Sequence, residues 1–468
     1  MGRFALALGP LTFVVMLVLP APASLDPEGW RVGALASWMA IWWLSAVVPL
    51  EATALLPIVI LPILGISPVG TVTAAYADPI IFLFLGGFFI AATLERWNLH
   101  RRFAIATVRV VGTDERRVLL GFMLASAFAS MWISNTATAV MMLPIALAVT
   151  GGARGGFSTA LLLGIAYACS IGGIATLIGT PPNAILAGAV GRILNQEIDF
   201  GSWLTIGLPI SIPMFILCWL WLIRLFNVGG PIEGLDRSLE AEHQQLGRLS
   251  AGERMVLGVF GATAFAWVMR APKTIGGVRI PGLTDWVPGL SDAGIAIAAS
   301  LVLFVIPTPR DGRKRLLNWE TARKVPWGIL LLFGGGLALA AAFETSGLTE
   351  WVGYRLQGLQ GVPFPVVVAI TAGLFVMLTE LTSNTATAAL GMPLMAGVAD
   401  GLGLAALPLM VTAALAASMA FMLPVATPPN AIVFGSGAVP PQAMARAGLW
   451  LNIAAVGVVT LAVWLRFG

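Results

Sequence analysis

Charge is what this chain has least of. Only 10% of its 468 residues are Asp, Glu, Lys or Arg, whereas a soluble globular chain carries roughly 25%. So few charges cannot cover a water-soluble fold of this size. Cysteine is almost absent as well. Cys169 and Cys218 stand alone in apolar stretches, which excludes a disulfide scaffold and predicts two small hydrophobes in packed segments. The two histidines, His100 and His243, fall in polar segments, so neither a His-based metal site nor a Ser-His-Asp triad is expected. No G-x-x-x-x-G-K-[ST] run occurs, which excludes a P-loop for ATP. The alternating segments of about ten residues that mark barrel strands are missing too.

Apolar length is what the chain has instead. Hydrophobic residues make up 58% and mean hydropathy is +0.92. Apolar runs lie at about 5–22, 32–50, 52–67, 79–95, 158–193, 203–226, 254–270, 290–307, 326–344, 403–436 and 446–465, most of them long enough for a spanning helix. Two more, 118–150 and 364–400, are interrupted by polar residues midway. The first run lacks a basic stretch beyond Arg3 and a good cleavage site, so it is expected to be a retained helix. The 16 tryptophans mostly flank the runs, as interfacial anchors do.

The basic residues choose among topologies. With a cytoplasmic N-terminus, eleven spans, and 118–150 and 364–400 as hairpins returning to their side of entry, 19 Lys and Arg fall inside and 7 outside. That bias matches the positive-inside rule and puts the C-terminus outside. The polar stretch 227–253 then reads as a cytoplasmic linker, and it divides the chain almost in half.

The halves repeat. Ser134-Asn-Thr-Ala-Thr-Ala139 recurs as Ser383-Asn-Thr-Ala-Thr-Ala388, and Pro144 recurs as Pro393. Gly86-Gly87, Glu95 and Leu99 match Gly335-Gly336, Glu344 and Leu348 at the same spacing. Downstream, Thr180-Pro-Pro-Asn-Ala-Ile185 recurs as Thr427-Pro-Pro-Asn-Ala-Ile432. An odd number of crossings per copy inverts the second copy in the membrane. The expected fold is therefore an all-α polytopic membrane protein of about 11 transmembrane helices. It comprises an extra N-terminal helix (1–29), repeat 1 (30–226, hairpin 118–150, broken helix 158–193), the linker 227–253, and repeat 2 (254–468, hairpin 364–400, broken helix 403–436).

Polar motifs inside apolar runs must face protein, water or a ligand, because unsatisfied polar groups cost several kcal/mol each in hydrocarbon. Paired prolines remove two donors and unwind the helix at each Thr-Pro-Pro-Asn. Freed carbonyls are hard oxygen ligands for alkali cations, and helix N-termini suit carboxylates. Two inverted copies would bring two cation positions and one anion position together. Taken singly, a Ser-Asn-Thr cluster can simply help helices pack; the duplication argues for the site. Glu380 is an intramembrane acid with Met131 at its place in repeat 1; it can orient the hairpin or bind a ligand. Glu51, Glu95 and Glu344 end or join spans, where interfacial roles are expected.

These paired motifs resemble the divalent anion:sodium symporter family, over essentially the whole chain from Trp42-Trp43 to Phe434. The resemblance implies an elevator in which a transport domain slides against a dimerising scaffold, hence a homodimer. It implies a first sodium position at Ser130, Ser134, Asn135 and the Gly179 backbone, and a second at Thr379, Thr382, Asn384 and the Ala426 backbone. Substrate carboxylates would meet Asn135, Thr136, Ser383, Asn384 and Thr385, with Thr180, Thr427 and Pro428 bordering the site. Leu44-Ser45 stand where the family pattern would have Thr-Glu, in a segment expected to lie away from the site.

The expected function is thus secondary active symport of sodium with a small dicarboxylate such as succinate, malate or fumarate. A sodium-independent exchanger of the same fold, or a citrate or sulfate transporter, is the alternative. The expected setting is a plasma or bacterial inner membrane. No organic cofactor, nucleic-acid partner or enzymatic activity is expected. A channel would want a continuous polar lining rather than two polar tips. An enzyme would need an acid–base or metal constellation.

Overall fold

The computed structural model describes residues 2–112, 114–150, 155–232, 246–275, 277–308 and 311–468. His243, the basic residues Arg154, Arg237 and Arg310, and the middle of the 227–253 linker lie outside the described residues. The chain is mostly helical. Among the described residues, six helices are long and apolar enough to cross a membrane: Val69–Arg96, Gly156–Gly173, Phe200–Phe226, Trp327–Thr345, Phe364–Leu381 and Pro441–Phe467. Shorter apolar helices include Phe4–Val18, Asn135–Val149, Asp292–Val305 and Ala406–Ala416.

Both interrupted segments are helix pairs. Glu115–Ser130 is followed by Asn135–Val149, and Phe364–Leu381 by Asn384–Leu402. The turn falls at Ser-Asn-Thr because Ser134 and Ser383 hold extended backbone as N-caps of the second helix. Ser134 Oγ caps the Ala137 N–H at 3.2 Å, as an N-cap serine does, whereas the Ser383 side chain makes no such bond. Both Thr-Pro-Pro-Asn motifs likewise start a helix after a break. Gly156–Gly173 stops and Pro181–Ile193 begins; Ala406–Ala416 stops and Pro428–Gly435 begins. In each case threonine is the N-cap and proline the first helical residue, where its fixed φ favours the helix and its missing N–H costs nothing.

The duplicated glycines serve close packing. A Cβ on Gly86 would lie 2.5 Å from Ala296 Cβ, and one on Gly335 would lie 2.7 Å from Ala54 Cβ. Helix Pro79–Arg96 can therefore press against Asp292–Val305, where Ser300 Oγ also donates to the Gly86 carbonyl at 3.2 Å.

Three features were not foreseen. The chain is not purely helical: Lys273–Ile275 pairs with Val278–Ile280, and Pro307–Thr308 with Asp311–Arg315. Both pairs lie between helices. The first turns at Gly277, whose φ of 83° suits a residue without Cβ. Two helices, Leu99–Val111 and Leu348–Leu356, follow the matched Glu95 and Glu344 positions and were not expected. Finally, Trp43, Trp203 and Trp267 are buried rather than interfacial. Each indole N–H finds a carbonyl at 3.0 Å, on Leu50, Ile174 and Asp292 respectively, as burial of a donor requires. Cys169 and Cys218 are fully buried free thiols.

Candidate transport site

The two helix pairs and the two broken helices interlock. The first pair packs on Gly156–Gly173, and its second helix also meets Pro428–Gly435 from the other half. Reciprocally, Asn384–Leu402 packs on Ala406–Ala416 and on Pro181–Ile193. Four helix N-termini, at Asn135, Pro181, Asn384 and Pro428, thereby border one cavity of about 760 Å³. That volume lies within the ~300–1,000 Å³ usual for small-molecule sites.

Every residue expected at the anion lines this cavity: Asn135, Thr136, Thr180, Ser383, Asn384, Thr385, Thr427 and Pro428. So do Ser134, Gly179, Thr382 and Ala426 from the expected cation positions. Ser130 and Thr379 lie behind the wall, fully buried. Among the described residues, no lining side chain carries a charge.

Behind the wall the two halves are alike. Ser130 Oγ donates to Asn135 Oδ1 and lies 2.7 Å from the Cys169 carbonyl. Thr379 Oγ1 lies 2.7 Å from Asn384 Oδ1 and 2.7 Å from the Ala417 carbonyl. Gly173 and Gly179 pass so close that a Cβ on Gly173 would sit 2.8 Å from Asn135 Oδ1 and 3.3 Å from the Gly179 carbonyl. Each half thus gathers a hydroxyl, an amide oxygen and backbone carbonyls at one point. Neutral oxygens of this kind suit an alkali cation, and no thiolate or imidazole competes. Thr382 stands apart from its group: its hydroxyl bonds Thr387 Oγ1 at 2.5 Å and the Leu378 carbonyl at 2.9 Å.

The breaks are held by the asparagines of the proline motifs. Asn183 Nδ2 donates to the Gly173 and Thr176 carbonyls at 3.2 and 2.7 Å. Asn430 Nδ2 donates to the Ala420 and Leu423 carbonyls at 3.3 and 3.1 Å. Sequence reasoning named neither as functional, although both belong to the duplicated motif. It also missed the Cys169 and Ala417 carbonyls, which backbone atoms cannot announce in a sequence. Glu380 does not line the cavity; it is 1% exposed and accepts backbone N–H bonds.

One expectation is overturned here. The segment with Leu44-Ser45 was expected away from the site, yet Trp43, Leu44, Ser45 and Ala46 form part of the cavity wall. Helix Pro27–Ser45 ends there because Ala46 takes a left-handed conformation, φ 48°, which turns the chain along the opening. A second cavity of about 670 Å³ shares Phe88, Ser134, Thr136 and Ile329 with the first and carries Glu95, Arg96 and Lys324.

A cavity ringed by helix N-termini at breaks in apolar helices has the form of the binding sites that membrane transporters build from discontinuous helices. The chain belongs to the family described as sodium:sulfate symporter transmembrane region, which it matches over residues 4–468. It is 41% identical to a sodium-dependent dicarboxylate transporter, SdcS, of Staphylococcus saprophyticus, covering 98% of this chain and 90% of that protein. The Staphylococcus aureus protein of the same name is 40% identical with the same coverage. Among solved structures, Neisseria gonorrhoeae MtrF, described with a class of antimetabolite efflux pumps, is similar at TM-score 0.56 and 11% identity over 98% of this chain and 94% of that one. The Alcanivorax borkumensis YdaH transporter is similar at TM-score 0.54 and 15% identity, covering 85% of this chain and 88% of that one. These two likenesses concern the fold alone.

Proposed function

We propose that this protein couples sodium entry to the uptake of a small dicarboxylate such as succinate, malate or fumarate. The observation that carries the reading is the convergence of both Ser-Asn-Thr turns and both proline breaks on one cavity without a charged lining residue. A dianion there has only helix N-termini, amides and hydroxyls to receive it. Each N-terminus offers roughly half a positive charge. Sodium bound behind Asn135 and Asn384 supplies the rest. Substrate and cation then raise each other's affinity, as linkage requires in both directions.

In this reading the first sodium is held by Ser130, Ser134, Asn135 and the Gly179 carbonyl, and the second by Thr379, Thr382, Asn384 and the Ala426 carbonyl. An amide serves both ligands at once, its oxygen accepting the cation and its NH₂ donating to carboxylate. Asn135, Thr136, Ser383, Asn384 and Thr385 receive the carboxylates, and Thr180, Thr427 and Pro428 border them. The helix pairs are re-entrant hairpins in two inverted repeats, 30–226 and 254–468, within about eleven spans. The helix 1–29 stands outside the repeats and the 227–253 linker is cytoplasmic. The N-terminus faces the cytoplasm and the C-terminus the outside of a plasma or bacterial inner membrane. The protein works as a homodimer by an elevator motion.

The test is uptake of labelled succinate, malate, fumarate, citrate and sulfate into proteoliposomes, with and without an inward sodium gradient. Accumulation of the four-carbon acids only with the gradient is expected. Equal uptake driven by internal dicarboxylate alone would make the protein an exchanger. Dissipation without accumulation would make it a channel.

A further inference from the structure

Glu380 breaks the likeness of the two halves next to the duplicated Ser-Asn-Thr turn. It ends a helix that carries Thr379 on one side and leads to Ser383 on the other, and it is 1% exposed. Its Oε1 accepts from the Phe421 N–H at 2.7 Å, the Met422 N–H at 2.8 Å and Asn452 Nδ2 at 2.7 Å; its Oε2 accepts from the Leu423 N–H at 2.9 Å. The three N–H groups belong to the break between Ala416 and Pro428, where the helical ladder is interrupted. Four converging donors demand a group that only accepts, which a carboxylate meets and an amide does not.

In the first half Met131 stands at this position, and the tie runs in the same direction but to the backbone: the Thr176 hydroxyl in the break donates to the Met131 carbonyl. One neutral hydrogen bond from the break there stands against three charge-assisted ones here, with Asn452 adding a fourth from the last helix, and charge-assisted bonds are roughly twice as strong each.

The tie matters because of what it joins. Glu380 is the chain neighbour of Thr379, which bonds Asn384 Oδ1 and the Ala417 carbonyl. The stretch it grips runs on to Ala426 at the cavity wall. It therefore locks together the two parts of the second oxygen cluster, hydroxyl arm and broken helix. We propose that Glu380 is a positioning residue that keeps the second sodium site preformed, so that the two sodium sites are unequal despite their matching ligands. This rests on the transport reading given above. Partners that orient metal ligands typically change metal affinity by about 10–100-fold when removed.

The experiment measures sodium binding to purified, detergent-solubilised protein by calorimetry without substrate, and sodium-dependent uptake in proteoliposomes. Glu380→Gln sets an amide NH₂ against the Leu423 N–H. It is expected to weaken one sodium-binding event by about 10–100-fold while sparing the other. The succinate KM at saturating sodium is expected to stay within about twofold, and Glu380→Asp to restore part of the affinity, since it keeps an acceptor-only group. Asn452→Leu leaves the three N–H bonds in place and is expected to give a smaller shift in the same event, which keeps the test open if Glu380→Gln does not fold. Unchanged sodium binding in folded Glu380→Gln or in Asn452→Leu overturns the proposal. So does a parallel loss of both sodium events and of substrate affinity. If wild type binds sodium but moves no dicarboxylate, the transport reading fails and the inequality of the sites is still decided by the calorimetry.

Discussion

Asn183 and Asn430 hold the two breaks in the same way. Each amide nitrogen donates to the carbonyls ten and seven residues before it, across the unwound segment. Leucine at either position would fill similar space and leave both carbonyls without that donor. Each unsatisfied buried acceptor costs about 1–3 kcal/mol. Asn183→Leu and Asn430→Leu are expected to lower the melting midpoint of the purified protein and to abolish uptake. Unaltered melting in either variant would mean the breaks are held by something else.

Asn135 and Asn384 present an oxygen to the hydroxyl behind the wall and line the cavity in front of it. Aspartate keeps the oxygen but repels a dianion and removes the donor. Asn135→Asp and Asn384→Asp are expected to abolish succinate uptake with the fold intact by size exclusion. Ser134→Ala is expected to raise only apparent KM, because Ser134 Oγ makes one 3.2 Å cap to the Ala137 N–H. Normal sodium-dependent uptake by Asn384→Asp would refute the site assignment.

A methyl group distinguishes Gly173 from Gly87. On Gly173 it would lie 2.8 Å from Asn135 Oδ1; on Gly87 its closest neighbour would be Ile178 Cδ1 at 3.5 Å, an ordinary contact. Gly173→Ala is therefore expected to raise the half-saturating sodium concentration at least about tenfold, as displaced ligands do, while Gly87→Ala transports normally. Equal behaviour of the two variants would show that the oxygen cluster does not bind the cation.

Acid should loosen the junction beside the linker. Glu253 Oε1 accepts from Arg102 Nε at 3.0 Å and Oε2 from the Ser250 N–H at 2.7 Å. Burial pushes its carboxyl upward, but the Ser250 and Arg102 hydrogen bonds outweigh that and hold it below the usual glutamate range. A lowered value in the folded state contributes stability that is present above the unfolded value and lost as pH falls through the folded one. The melting midpoint should drop as pH goes below about 4.3, and less steeply in Glu253→Gln. Parallel profiles for the two proteins would remove Glu253 from the account.

The site was legible in the sequence where side chains carry the information twice. Paired prolines forecast both breaks, and the repeated Ser-Asn-Thr forecast both turns; the structure puts all of them on one cavity. What escaped notice has a physical cause in each case. The Cys169 and Ala417 carbonyls are backbone atoms, identical for any residue. Glu380 itself stood out as an intramembrane acid able to orient the hairpin, but with methionine as its counterpart no repetition marked the second break as what it grips. The wall at Trp43–Ala46 comes from a helix end far from either motif, brought there by packing alone. Leu99–Val111 carries Arg101, Arg102 and Arg109, too polar for a search guided by apolar length.

Among the described residues, the hydrogen bonds of the two breaks do not cross the linker. Those of the first are all made within residues 130–211, and those of the second within 379–452. The cavity, in contrast, needs both halves, since Asn384–Leu402 closes on Pro181–Ile193. A ribosome delivers these halves one after the other. The first half can therefore tie its own break together before the second is made, whereas the cavity comes into being only when both halves have met.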